Sequence, residues 1–206
     1  MPASDFFIDV INTAIKAGVS VRFLNEYSVK YKGLFDAEAF TLDVYMVDHE
    51  QNPETLESWL ALLAHESSHL DQFVEDADVW NNTSIGYLDT TGLIDSWLDY
   101  HIELTQKHLT DYVDKIIACE LDCEKRAVAK MKKYKLPIDI KKYIKNSNSV
   151  LYTYEVIKTT RAWTKPGNGI VSKKEVFDLI PDTFQKSYKD KKIIDAIINN
   201  CYEVSK

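Results

Sequence analysis

The stretch Leu62-Leu63-Ala64-His65-Glu66-Ser67-Ser68-His69-Leu70 carries two histidines four residues apart, with a glutamate directly after the first. On a helix of 3.6 residues per turn, positions 65 and 69 lie one turn apart on the same face. Two imidazoles so placed can share one Zn2+, and Glu66 beside them can take a proton from a water held there. Two surface histidines next to an exposed acid give the same short pattern, so a third ligand is the test.

That ligand is sought where an acid stands on an apolar face. Projected as a helix, the stretch around Ile116 to Val128 puts Glu120 and Glu124 on one side with Val113, Ile116, Ile117, Ala127 and Met131. Asp114, Lys115, Asp122, Lys125, Arg126 and Lys133 take the other side. Burying an ionised carboxylate is costly unless a cation or hydrogen-bond donors compensate it. A metal bound by Glu120, with Glu124 holding the outer nitrogen of a ligating histidine, meets that need. The plainer alternative is a salt-bridged helix with both acids at its edge. Cys123 lies off the Glu120 face by angle and reads as buried packing. His101 and His108 are two turns apart, too far to chelate as a pair, and with His49 they read as surface or core-edge residues.

With both stretches in view, the chain resembles the gluzincin class of zinc metallopeptidases, over roughly residues 35–130. In scale it is similar to the compact minigluzincins and to small HExxH proteins of unassigned role encoded by tailed bacteriophages. The resemblance implies His65, His69 and Glu120 as zinc ligands, Glu66 as general base, and Glu124 as an outer residue that holds a ligand in place. It further implies a peptide or protein substrate, and an edge strand beside the zinc helix that holds an extended peptide by main-chain hydrogen bonds. Glu124 stands where the class commonly has aspartate. After His69 there is no glycine or third histidine at the spacing of the three-histidine class. Gln72, on the histidine face, is a second candidate for an outer partner.

The elements that must position these groups are legible as patterns. Leu56, Leu60, Leu63, Leu70 and Val74 form an apolar stripe, with Ser58, Leu62, His65, His69 and Gln72 on roughly the opposite side. Asn52-Pro53-Glu54-Thr55 supplies start signals for this helix. Before it, Asp5 to Lys16 reads as an amphipathic helix closed by Gly18. Val19–Phe23 and Phe40–Met46 alternate as strands, with Gly33 through Glu38 as the turn region between them. The polar face of Thr41, Asp43 and Tyr45 is compatible with an exposed edge. After the histidine helix, Asp89 caps a helix predicted to run to about His108. The Glu120 helix runs to about Lys135 and stops at Leu136-Pro137. Asn146-Ser147-Asn148-Ser149 is polar enough to break or cap the next one, after which Val150 to Trp163 is helical. Tyr154 and Arg161 share a face of that helix and are candidates to donate to the oxyanion of a tetrahedral intermediate. A core tyrosine with a surface arginine is the plainer account of them.

Composition bounds the rest. A chain of 206 residues with 45% hydrophobic content suffices for one compact domain or one with an appendage. The break at Lys165-Pro166-Gly167 suggests a zincin-like metallopeptidase domain over 1–165 and a helical appendage over 166–206 packed on its core. The expected fold class is α+β, mostly α: a small N-terminal antiparallel sheet on a helical zincin-like core, with further C-terminal helices. No run approaches the ~18 apolar residues of a membrane span. The first residues lack a signal-peptide pattern, and three cysteines suit reduced thiols, so the expected location is the cytoplasm, the host's if the protein is phage-encoded. Residues 1–124 carry 6 basic and 24 acidic side chains, and residues 125–206 carry 19 and 8. An acidic front and a basic back fit one globule with complementary halves. The alternative function is a non-catalytic zinc protein of structural or binding role, its basic half contacting nucleic acid or an acidic partner. Nucleic acid is the less favoured partner, because lysines spaced along helices are usually solvated.

Overall fold

A computed structural model describes residues 2–26, 32–47, 54–86, 88–165 and 167–202. His49, Asn52, Pro53 and Pro166 fall outside these residues. The class is α+β, mostly α. The chain forms two compact units that alternate along the sequence. The first is Met1–Trp80 with Asp122–Ile140, and the second is Asn81–Leu121 with Lys141–Lys206.

The first unit begins with helix α1 (Pro2–Ala17), which buries Phe6, Val10 and Ala14, spaced by four along one face. Gly18 ends it at φ 71, with Gly18 N–H on the Ile15 carbonyl and Val19 N–H on that of Ala14. This is the paired bonding of a Schellman cap, for which a residue with positive φ is needed. A three-stranded sheet follows: β1 (Ser20–Leu24), β2 (Gly33–Asp36) and β3 (Thr41–Tyr45), in the order β1-β3-β2. β1 runs parallel to β3, pairing Ser20 with Thr41 and Leu24 with Tyr45, and β2 runs antiparallel to β3, pairing Gly33 with Val44 and Asp36 with Thr41.

Two expectations change here. The sheet is mixed rather than antiparallel, and Gly33 opens a strand instead of a turn. The turn comes later, where Asp36 Oδ1 accepts the N–H groups of Glu38 and Ala39 and Phe40 takes φ 53. β3 is therefore central. Asp43, expected on an exposed edge, is buried and gripped by Arg22 of β1 through two hydrogen bonds of 2.6 and 2.5 Å.

Helix α2 (Leu56–Val74) starts at Thr55, whose hydroxyl accepts the Ser58 N–H, and the one-turn helix α3 (Asp78–Asn81) comes next in the chain. Leu60, Leu63 and Leu70 are buried as the stripe required, whereas Leu56 and Val74 at its ends are exposed. Ala64, Ser67 and Ser68 are buried too, and both serine hydroxyls donate back to the Ala64 carbonyl. The last part of helix α5 (Gln106–Lys133) belongs to this unit, tied to α2 by Lys130, which bonds Asp71 and Ser67 Oγ at 2.8 Å each.

In the second unit the helix expected to run to His108 is two elements. α4 (Thr90–Leu98) is capped by Asp89 and closes near Tyr100, which has φ 60; α5 restarts behind Thr105, whose hydroxyl accepts the His108 N–H. Helix α6 (Ile140–Thr160) runs unbroken through Asn146–Ser149. The polar run does not break it, because Asn148 is used in tertiary packing and Ser149 donates back to the Lys145 carbonyl. Asn148 is fully buried, donates to the carbonyls of Pro181 and Thr183, and accepts the Tyr188 hydroxyl at 2.7 Å. One apolar cluster joins Leu151, Tyr152 and Val156 of α6 to Val176 of α7 (Lys174–Phe177) and Ile193 and Ile197 of α8 (Lys191–Cys201). The segment after residue 165 thus shares a core with α6.

Replacing Asn148 by Leu keeps similar volume but strands two carbonyls and a hydroxyl. The expected loss is about 1–3 kcal/mol of stability, read from urea unfolding followed by circular dichroism.

Candidate metal centre

All of the groups that gather belong to the first unit. One donor atom each from His65, His69 and Cys123 lie within 4.8 Å of one another. The i, i+4 spacing on α2 sets the two rings edge to face with centroids 4.8 Å apart. Cys123, fully buried on α5, places its sulfur 3.6 Å from His65 Nδ1 and 3.3 Å from the His65 carbonyl oxygen. Beyond it, Glu124 Oε1 stands 3.3 Å from His65 Nδ1. On the other side, His69 Nδ1 is 2.9 Å from Gln72 Oε1. Trp80 packs its ring 5.8 Å from that of His69 and continues into Phe35 and Phe73, an aromatic wall beside the cluster.

The electrostatics favour a cation. Glu124 is 8% exposed, and among the described residues nothing hydrogen-bonds its Oε2. A buried carboxylate in that state needs positive charge nearby. Burial works to lower the basicity of the His65 imidazole, but Cys123 and Glu124 outweigh it and hold the pKa well above the ordinary histidine value. Two imidazoles and a thiol form a donor set suited to Zn2+ and similar divalent ions.

Glu66 faces the sheet. It is buried, and its Oε2 accepts the Phe35 N–H of β2 at 3.0 Å. Tyr45 N–H bonds the Lys32 carbonyl, so along this antiparallel pair Gly33 and Phe35 turn their main-chain groups away from β3. The edge of β2 is therefore where Glu66 stands. A Cβ at Gly33 would lie 2.8 Å from both Cγ and Oε1 of Glu66 and 3.0 Å from Leu62 Cδ1. Glycine is required there for space, so that the carboxylate can lie against the strand.

The sequence-predicted residues are therefore divided. His65, His69, Glu124 and Gln72 come together, while Glu66, next to His65 in the chain, turns to the edge of β2. Glu120, one turn earlier on α5, is not part of the gathered donor set; Cys123 is. The signal for Cys123 was its angular position. Three residues on from Glu120 it is turned only about 60° away, within the width of a helix face. Tyr154 and Arg161 are occupied within the second unit. Arg161 bonds the carbonyls of Trp97 and Ile102 and the carboxylate of Glu103, and stacks over Trp97 and Tyr100. Its guanidinium thus fastens the end of α6, a task unlike the oxyanion role for which it is a candidate by sequence. Tyr154 packs edge-on to Trp163 at 5.6 Å. His101 and His108 are exposed, as expected.

No protein-family model matches the chain, and no curated protein or solved structure matches it either.

Two outcomes follow from this geometry. Cys123 and Glu124 raise the proton affinity of His65 and a metal must displace that proton, so zinc uptake should release protons and tighten as pH rises. Calorimetric titrations in buffers of different ionisation enthalpy count those protons, and an affinity flat with pH would contradict it. Gly33→Ala should destabilise the parent but much less a Glu66→Ala background. The coupling expected from a double-mutant cycle is about 0.5–3 kcal/mol.

Proposed function

We propose that the protein is a metal-dependent hydrolase, with zinc as its metal and a peptide bond as the bond it cleaves. The observation carrying this reading is the convergence of His65, His69 and Cys123, with Glu124 against His65 and Glu66, its neighbour in the chain, also buried. The likeness of the two helical stretches to gluzincins supports the choice of a peptide bond. His65 and His69 would hold the ion together with one donor from α5. Cys123 is the donor the geometry offers, and Glu120 the one the resemblance implies.

A zinc ion bound there would polarise a carbonyl and make water acidic enough to ionise near neutral pH. The chain's own residues do the rest. Glu66, held against Gly33 by the Phe35 N–H, takes a proton from the attacking water and passes it to the leaving amine. Glu124 keeps the His65 ring oriented, and Gln72 does the same for His69. Trp80 and Phe73 form an apolar flank that limits water on the His69 side.

A metal centre without catalysis is the second reading. It is favoured by the engagement of Glu66 with a main-chain N–H and by a thiol among the donors, which is common at structural zinc sites. The basic back half adds little to a nucleic-acid reading. Lys141, Lys158, Lys174, Lys189 and Lys191 are each paired with an acid of their own unit. No helix among the described residues is long and apolar enough to cross a membrane.

Metal analysis of the purified chain, combined with a broad peptide-cleavage screen, separates the readings. The hydrolase predicts bound zinc, cleavage by the parent, and loss of cleavage with zinc retained in Glu66→Gln. Zinc with equal cleavage by parent and Glu66→Gln would end the catalytic proposal. Cys123→Ser should weaken zinc binding and abolish sulfur-to-cobalt charge transfer in the Co2+-loaded protein, while Glu120→Gln should leave both intact. Zinc binding weakened by Glu120→Gln but not by Cys123→Ser, with no sulfur-to-cobalt band in the parent, would return the third ligand to Glu120.

A further inference from the structure

His69 is flanked by a run of polar contacts that leaves no choice of hydrogen-bond direction. Arg126 of α5 donates through Nε to Asp122 Oδ2 at 2.6 Å and through an Nη to Glu75 at 2.6 Å. The Asp122 carboxylate, an acceptor only, also takes a hydrogen bond from Gln72 Nε2 at 3.0 Å. The Gln72 amide is fully buried and cannot offer its NH2 group to both sides. With its nitrogen turned to Asp122, its oxygen must face His69, where it lies 2.9 Å from Nδ1. An amide oxygen accepts and cannot donate, so Nδ1 must carry the hydrogen.

We propose that Asp122 and Arg126 are positioning residues for His69: through Gln72 they fix the Nδ1–H tautomer, which puts the ring's basic lone pair on Nε2. Arg126, a permanent cation and donor, anchors Asp122 as the acceptor. Asp122 fixes which way the Gln72 amide points, and the amide fixes the imidazole proton. The helix that supplies a ligand thereby also prepares a ligand on α2. Sequence projection places Asp122 and Arg126 on the solvated face of α5, with no hint of this task. The tautomer stands on the contacts alone, while its use at a metal rests on the metal-site reading above, so the two fail separately.

The test uses the full chain labelled with 15N-histidine, stripped of metal by chelation and held at mildly alkaline pH. Two-bond 1H–15N correlations report which ring nitrogen is protonated, with His69 assigned by comparison with His69→Gln. The parent should show His69 as the Nδ1–H tautomer. Asp122→Leu, which offers no acceptor, should give a mixture of tautomers and weaken zinc binding about tenfold or more. Asp122→Asn, which keeps one carbonyl oxygen for Gln72 and Arg126, should restore both. An Nε2–H tautomer in the parent overturns the proposal without any variant. So does an Asp122→Leu protein with unchanged tautomer and unchanged zinc affinity. A parent with the expected tautomer that binds no zinc would leave this inference standing and remove the metal reading instead.

Discussion

An ionised side chain buried between helices must have its charge answered within a few ångströms, and the first unit is arranged around that demand. Glu124 lies buried beside His65 with one oxygen that no described residue hydrogen-bonds, and the imidazole answers it by holding a proton or by gripping a cation. Either answer requires α5 to stay close to α2. The small buried residues Ala64, Ser67 and Ser68 give α2 a low profile, and Lys130 ties the two helices through Asp71 and Ser67. The Cys123 sulfur then meets His65 at hydrogen-bond range.

A second consequence concerns the sheet. An edge strand normally offers its outward N–H and C=O groups to whatever can pair with them. Here one of those N–H groups belongs to Phe35 and is answered by Glu66. Phe35 also packs its ring against Phe73 and Trp80, and Trp80 in turn against His69. One residue of β2 thus connects the carboxylate to the aromatic wall of the histidine cluster. The absence of a side chain at Gly33 makes the approach sterically feasible.

Much of this was legible beforehand where periodicity and residue type agree. The histidine pair, the buried Glu124 of α5, the Gly18 stop and the Asp89 cap all came from local rules. The misread elements share one cause. Gly33 looked like a turn signal because glycine's conformational freedom is its usual use, yet here it serves close approach. Asn146–Ser149 looked like a break because polar residues compete with helical hydrogen bonds, yet Asn148 satisfies carbonyls far along the chain. Arg161 looked available because its partners lie about sixty residues earlier in the sequence.

By itself the sequence determined the helical framework, the spacing that turns two imidazoles to one side, and the presence of carboxylates where apolar groups belong. These depend on helix geometry and on the cost of burying charge, both local properties of residue order. Only the tertiary structure decided that Cys123 joins the histidines, that Glu66 rests against a strand edge, and that Asp122 and Arg126 act on His69 through Gln72. Those outcomes depend on how far apart two packed elements lie and on which way each hydrogen bond must point. Neither quantity is encoded in any single segment.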